Sequence, residues 1–310
     1  MKIVFHAAAG PDLTARLASL PGLEIAVCPE DDEARLASLL PDCEVLWHVL
    51  KRCTSDMIAA APKLRLIQKI GVGVNTIDLD AARARGIPVC NLPGTNSRAV
   101  AEMTLALMLS TLRRVPRFDA SLRLGTWTDL SLQDGLGELG GRVVGLVGYG
   151  SVPRFLAPVL VALGCTVIYK ARHQVPDAVG RYATLDSLLE QSDVVSLHLP
   201  LTERTSHLID RAALARMKKG SVLINTARGG LVDTPALVDA LRSGHLAGAG
   251  LDVFTDEPVP AGDALLTLDN VVVTPHVAWI STGTFDRSFV LAAENCRRVA
   301  SGEPLLHQVV

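Results

Sequence analysis

Short apolar runs alternate with longer amphipathic stretches from one end of the chain to the other, and this alternation restricts the fold more than any other feature. A short apolar run suits a strand buried on both faces. The stretches between are long enough to carry the chain back, as a helix, to the same edge of a sheet. The pattern therefore predicts an α/β protein built on parallel sheets. Strands are expected over residues 2–7, 24–27, 45–48, 66–69 and 89–90, with helical patterns such as 12–20 and 80–85 between them. After a glycine-containing loop around 125–141, a second series is expected at 143–147, 166–169, 194–197, 222–225 and 270–273.

A chain of 310 residues exceeds the size at which one core usually stops growing, so two domains are expected. The boundary falls near residue 97, where a helical stretch over 97–114 carries Ala, Leu and Met on most faces and reads as buried on several sides. That helix suits an inter-domain or subunit-packing position, or simple packing within the chain. From about residue 287 the chain is again helical in pattern and can return to the first domain. Thirty Lys and Arg against 32 Asp and Glu give a net charge of −2, which removes the electrostatic reason to expect nucleic acid or a membrane surface as partner. The six cysteines form no C-x-x-C unit, so no metal site is expected, and no signal-type or bilayer-length apolar run develops. These features lead us to expect a cytoplasmic protein.

The segment from Val143 to Arg154 is an apolar strand, a Gly-Tyr-Gly turn and the start of a helix, the context that lifts a G-x-G match above chance. Gly148 would allow the tight turn. Gly150 would let the backbone approach a pyrophosphate held at the positive end of the helix, with amides around Ser151 and Val152 as donors. Pro153 stands where the third fingerprint glycine belongs, a position in the first helical turn that tolerates proline. About twenty residues on, where an NAD site needs an acid for the ribose hydroxyl, the chain offers none. Lys170, Arg172 and His173 stand there instead, so NADP is favoured over NAD, with NAD still possible.

Three clusters are expected at the C-terminal ends of later strands, where open α/β sheets bind ligands: residues 225–230, 252–258 and 274–279. Reducing a 2-oxo acid requires a clamp for the carboxylate, a proton donor for the carbonyl oxygen and a source of hydride. Arg228 supplies a planar, charged fork for the first. His276 is the natural acid/base. Glu257, if within hydrogen-bond reach, would favour the imidazolium. Each of these residues is unremarkable alone; their joint appearance in this order carries the reading.

The Gly-Tyr-Gly turn, the Asn-Thr-Ala-Arg-Gly-Gly-Leu-Val-Asp run, the Asp-Val-Phe segment leading to Glu-Pro, and Pro-His follow one another as they do in the D-isomer-specific 2-hydroxyacid dehydrogenases. So do Gly71-Val72-Gly73-Val74-Asn75-Thr76-Ile77-Asp78 and the later Asn91-Leu92-Pro93-Gly94. The chain resembles that family over nearly its whole length, in particular its glyoxylate and hydroxypyruvate reductases. The resemblance implies a flavodoxin-like substrate domain, residues 1–96 plus 287–310, and a doubly wound Rossmann domain for the dinucleotide, residues 97–286. It implies Arg228 for substrate binding, Glu257 and His276 as the acid/base pair, and Val72 and Gly73 as backbone donors to the substrate carboxylate. Ala227 and Asp252 become cofactor contacts, Asp252 orienting the nicotinamide carboxamide. The implied partner is a small anionic 2-oxo or 2-hydroxy acid, handled D-stereospecifically by a homodimer. Trp279 is a candidate wall of the substrate pocket, and Lys51 and Arg52 are candidates to reach an anionic substrate.

Two rival readings share the scaffold. A formate- or phosphite-type dehydrogenase would be expected to carry extra basic or amide groups around its substrate, and Val72 occupies the Gly71–Gly73 loop instead. A nicotinamide-sensing corepressor-like binding protein would be expected to carry partner-binding extensions, whereas the sequence ends soon after its last helical pattern.

Overall fold

The computed structural model describes residues 1–127 and 129–310, and the chain divides into two units, Met1–Asn96 with Ser281–Val310, and Ser97–Ile280. The first unit holds five strands, β1 (Lys2–His6), β2 (Glu24–Cys28), β3 (Val45–His48), β4 (Leu66–Lys69) and β5 (Val89–Cys90). They form a parallel sheet in the order β2-β1-β3-β4-β5, the flavodoxin-like arrangement. All residues of β3 and β4 are buried, which is why their apolar residues stand consecutively rather than alternate, with the polar His48, Gln68 and Lys69 gathered at their C-terminal ends. The register sets His6, His48 and Lys69 side by side at the C-terminal edge.

The Thr282–Ser301 helix belongs to this unit and covers its sheet. Phe289 stacks on Trp47 with ring centroids 5.7 Å apart and meets Phe5 edge-on at 6.4 Å. Asn295 Nδ2 donates to Gln68 Oε1 at 2.7 Å. Ser281 caps the helix by accepting from the Thr284 N–H. The sequence pattern begins this helix near 287, five residues late, because Thr282, Gly283 and Thr284 are poor helix formers that the cap offsets.

The second unit holds β6 (Val143–Val147), β7 (Thr166–Lys170), β8 (Arg181–Tyr182), β9 (Val194–Leu197), β10 (Ser221–Asn225), β11 (Leu246–Leu251) and β12 (Val271–Val273). Their order is β12-β11-β10-β9-β6-β7-β8, every pair parallel. The order reverses between β6 and β9, the switch point of a doubly wound Rossmann sheet. Two of these strands, β8 and β11, are absent from the series read from the sequence. β8 is two residues long. β11, Leu-Ala-Gly-Ala-Gly-Leu, lacks β-branched residues because the Ser97–Arg113 helix lies directly over it: a Cβ on Gly248 would stand 2.8 Å from Thr111 Cγ2, and one on Gly250 3.0 Å from Leu107 Cβ.

The Ser97–Arg113 helix packs within this unit, against β10, β11, β12 and the Ser151–Ala162 helix. It stops one residue short of the expected 114 because Arg114 adopts a left-handed conformation, φ 50°. The loop expected over 125–141 contains a short helix, Leu130–Gln133, capped by Asp129; Thr128 in that stretch lies outside the described residues. Among the described residues no helix is long and apolar enough to cross a membrane.

Candidate active site

At the end of β6 the chain turns sharply through Gly148, whose φ is +101° and where a Cβ would stand 2.5 Å from the His198 carbonyl oxygen. Only glycine satisfies both constraints. Gly150 is the N-cap of the Ser151–Ala162 helix, and no heavy atom lies within 4 Å of the point its Cβ would fill. The amides of Ser151 and Val152 open the helix, where backbone N–H groups have no intrahelical acceptor. Pro153 sits buried in the same first turn, so its missing N–H forfeits nothing. An open approach at a glycine, beside the positive end of a 12-residue helix, fits the pyrophosphate of a dinucleotide. Ser151 Oγ accepts from Ser97 Oγ at 2.8 Å, tying the turn to the helix above it.

Lys170 ends β7 with its Nζ 3.4 Å from the Tyr182 hydroxyl and 5.5 Å from that ring's centroid. Arg172 and His173 follow, exposed.

Arg228 lies three residues beyond β10, on a turn built by Asn225. The Asn225 side chain is buried; its Nδ2 donates to the Arg228 carbonyl at 2.8 Å and its Oδ1 accepts from the Ala227 N–H at 3.0 Å. Such self-bonding is what favours Asn at turns. Burial pulls the half-buried Arg228 guanidinium below its ordinary range, and the charge of Glu257 opposes that shift. The guanidinium Nη1 donates to the Ala227 carbonyl at 2.6 Å.

Glu257 follows β11, and His276 follows β12, the strand beside it. His276 Nδ1 is 2.6 Å from Glu257 Oε2, while Glu257 Oε1 accepts from the Phe254 N–H at 2.9 Å. Burial alone would raise the Glu257 carboxyl, but His276, the Phe254 amide and Arg228 together hold it below the usual carboxylate range. Asp252, also at the end of β11, is fully buried. Its Oδ1 accepts from Thr274 Oγ1 at 2.5 Å and the Val277 N–H at 2.9 Å, and its Oδ2 from the Ala278 N–H at 2.9 Å. Trp279 Nε1 donates to the His276 carbonyl at 3.1 Å. With Nδ1 given to Glu257, Nε2 is the ring nitrogen left for a substrate.

The second unit thus brings Arg228, Glu257 and His276 to the C-terminal ends of three successive strands, within reach of one another's charge. Val72, Gly73, Lys51 and Arg52 belong to the first unit. There the Val72 carbonyl accepts from Asn91 Nδ2 at 2.9 Å, and the Lys51 ammonium is engaged with the Glu30 carbonyl and the Glu33 carboxylate. Two residues that organise the site, Asn225 and Thr274, open clusters read from the sequence but were given no role there. Asn at a strand end two residues before an alanine is a turn signal that could have marked the first.

Residues 105–278 match the family described as D-isomer specific 2-hydroxyacid dehydrogenase, NAD binding domain. A D-3-phosphoglycerate dehydrogenase of Mycobacterium tuberculosis is 39% identical over 279 residues, 88% of this chain and 52% of that protein. The chain therefore spans about half the length of that relative and of its mycobacterial counterparts. A hydroxypyruvate reductase of Thermotoga maritima is 40% identical over 253 residues, covering 80% of this chain and 81% of its own. Among solved structures, D-lactate dehydrogenase from Aquifex aeolicus complexed with NAD and lactic acid superposes with a TM-score of 0.83 at 29% identity, covering 97% of this chain and 96% of that one. On the strength of these matches, the chain belongs to the D-isomer specific 2-hydroxyacid dehydrogenase family.

Proposed function

We propose that the chain reduces a small 2-oxo acid to the D-2-hydroxy acid, and catalyses the reverse oxidation, with NADP(H) as the preferred cofactor. The observation that carries this reading is the 2.6 Å contact of His276 with Glu257 beside the Arg228 guanidinium, on the sheet edge next to a dinucleotide turn. Glyoxylate and hydroxypyruvate are the substrate class that the reductase relatives suggest.

In this reading Arg228 holds the substrate carboxylate and polarises the adjacent carbonyl. A reduced nicotinamide, when bound, supplies the hydride that adds to the carbonyl carbon. His276 Nε2 delivers the proton that the carbonyl oxygen takes up, so that the C=O becomes CH–OH; in oxidation Nε2 takes the proton back. Glu257 keeps the imidazole oriented through Nδ1 and balances its charge in the protonated state. The Gly148–Val152 turn would hold the pyrophosphate, with Ala227 as a further cofactor contact.

The preference for NADP rests on the absence of an acid at the end of β7 and on Lys170, Arg172 and His173 in its place. A carboxylate there would repel a 2′-phosphate, whereas three basic residues attract it. The protein is further proposed to act as a homodimer in the cytoplasm. Leu124 and Trp127, 86% and 87% exposed on the segment after the Val115–Arg123 helix, are apolar surface that a second copy would cover. The six cysteines are free and buried, as suits a reducing compartment.

The test is a spectrophotometric panel of 2-oxo acids against NADPH and NADH. Turnover of glyoxylate or hydroxypyruvate, faster with NADPH, is the expected result. Comparable or faster turnover with NADH overturns the cofactor assignment, and no turnover of any 2-oxo acid overturns the reaction.

A further inference from the structure

We propose that the chain's three tyrosines, Tyr149, Tyr169 and Tyr182, hold residues 171–180 in the shape that recognises a 2′-phosphate, which makes Tyr169 and Tyr182 positioning residues that determine nucleotide specificity. The proposal rests on the reading of NADP(H) as the preferred cofactor.

Residues 171–180 join β7 to β8 and carry neither helix nor strand. A connection without a hydrogen-bond ladder of its own must find other contacts to offset the entropy of being ordered. Here the tyrosines supply them. The Tyr182 hydroxyl donates to the Ala171 carbonyl at 3.4 Å and accepts from Lys170 Nζ at 3.4 Å. The Tyr169 hydroxyl accepts from the Val175 N–H at 3.0 Å and donates to the Val175 carbonyl at 3.4 Å. The Tyr149 hydroxyl accepts from the Val179 N–H at 2.7 Å and donates to the Val179 carbonyl at 2.9 Å. The anchors thus fall at 171, 175 and 179, and every hydroxyl acts as both donor and acceptor.

The rings form one cluster beneath the segment. Tyr169 is buried, its centroid 4.4 Å from that of Tyr149 and 5.7 Å from that of Tyr182, and Val175, Ala178 and Val179 pack against the same core. At the far end Gly180, φ +114°, passes so close to β7 that a Cβ would stand 2.8 Å from the Val167 carbonyl oxygen. The segment's shape is therefore imposed by the aromatic cluster and the strand under it.

That shape presents charge. Arg172 and His173 are exposed between the anchors at Ala171 and Val175. The Gly148 N–H donates to the Lys170 carbonyl at 2.8 Å, which ties the start of the basic stretch to the dinucleotide turn. A cation borders the cluster at each end, Lys170 over the Tyr182 ring at 5.5 Å and Arg154 over the Tyr149 ring at 6.0 Å. The segment's acid, Asp177, comes after the Val175 anchor. Cations held in place before the ligand arrives bind a phosphate without a further ordering cost. A nucleotide lacking the 2′-phosphate gains nothing from them, so the hydroxyls act on specificity.

Tyr169→Phe and Tyr182→Phe remove one hydroxyl each and keep the rings; Tyr149, inside the turn assigned to the pyrophosphate, is left intact. The measurement is calorimetry with adenosine 2′,5′-bisphosphate and with 5′-AMP. In each variant the bisphosphate affinity is expected to fall roughly three- to tenfold, the scale of one neutral hydrogen bond, with 5′-AMP affinity and KM for NADH unchanged. The Val175 amide exchanges its hydrogen faster in Tyr169→Phe, and saturating bisphosphate slows it again. In an Arg172→Ala background the loss caused by Tyr169→Phe shrinks. Equal losses for both nucleotides, an unchanged bisphosphate affinity in either variant, or losses that multiply with that of Arg172→Ala overturn the proposal. Should Tyr169→Phe fail to fold, Tyr182→Phe, whose ring is half-buried, carries the same test through the Ala171 anchor. Wild-type protein that binds the bisphosphate no more tightly than 5′-AMP is the different result that would remove the NADP reading, and the proposal with it.

Discussion

Gly229 passes so close to Phe254 that a Cβ on the glycine would stand 2.0 Å from the Phe254 carbonyl carbon. The contact joins the segment carrying Arg228 to the segment carrying Glu257, backbone against backbone. Nothing flexible is available to yield. Gly229→Ala is therefore expected to push the two segments apart and to lower kcat/KM by roughly 10²-fold, because displacements of about an ångström carry that cost. Overpacking would lower stability by about 1–3 kcal/mol as well. Steady-state kinetics beside a thermal melt check both, and wild-type turnover would show that the two segments need no such contact.

His276→Ala is expected to lower kcat by roughly 10²–10⁴, the range for losing a general acid, while the affinity for NADPH measured by fluorescence stays unchanged. The Gly148 turn and Lys170 lie on other strands. Wild-type turnover by this variant would dismiss proton transfer through the imidazole.

Arg228→Ala removes a charged, forked donor and is expected to raise KM for the 2-oxo acid and to lower kcat together. Charge-assisted hydrogen bonds contribute about 1.5–3 kcal/mol, which corresponds to roughly 10- to 150-fold in kcat/KM. Arg228→Lys should recover only part, since an ammonium cannot span a carboxylate with two parallel bonds. Full recovery by lysine would mean that charge alone is required.

Arg172→Ala is expected to raise KM for NADPH about tenfold and leave that for NADH unaltered, in line with the loss of one exposed phosphate contact. Lys170 is already steadied by Tyr182, so Arg172 is the more sensitive probe. An equal effect on both nucleotides would place the arginine away from the 2′-phosphate.

The imidazoles of His6, His48 and His198 titrate below the usual value of 6.5, all through burial, His198 at about 3. His6 is faced by Glu30 and Lys51, and His48 by Lys69 and His6. The unfolded chain protonates such groups first, so their contribution is intact above pH 6.5 and is lost as the pH falls toward their folded values. Neither ring nitrogen of His6 has a hydrogen-bond partner among the described residues. His6→Leu should therefore raise the urea midpoint at pH 8 by an amount equivalent to about 1 kcal/mol and flatten its decline as the pH falls below 6.5. An unchanged acid slope would exclude His6 from the acid response.

Much of this molecule is legible in its sequence, and the parts that are not share a physical cause. Strands buried on both faces, such as Val45–His48 and Val194–Leu197, announce themselves because burial favours apolar residues at successive positions rather than alternate ones. Leu246–Leu251 is buried at every position but Ala247, yet its interior is written in alanine and glycine, since a helix lies against it and leaves no room for larger side chains. Among site residues, the guanidinium, carboxylate and imidazole could be picked out by what their chemistry can do. Thr274 could not, because its hydrogen bond to the Asp252 carboxylate exists only once the strands are assembled, and Asn225, which bonds main chain of its own turn, leaves only a turn signal.

The helix that covers the first sheet follows the second unit along the chain, and that has a consequence for biosynthesis. Everything the second unit requires has been made once Ile280 is joined, so it can fold while translation continues. The older strands must wait, their aromatic face at Trp47 uncovered, until Phe289 arrives. The half begun first on the ribosome is thus the half completed last.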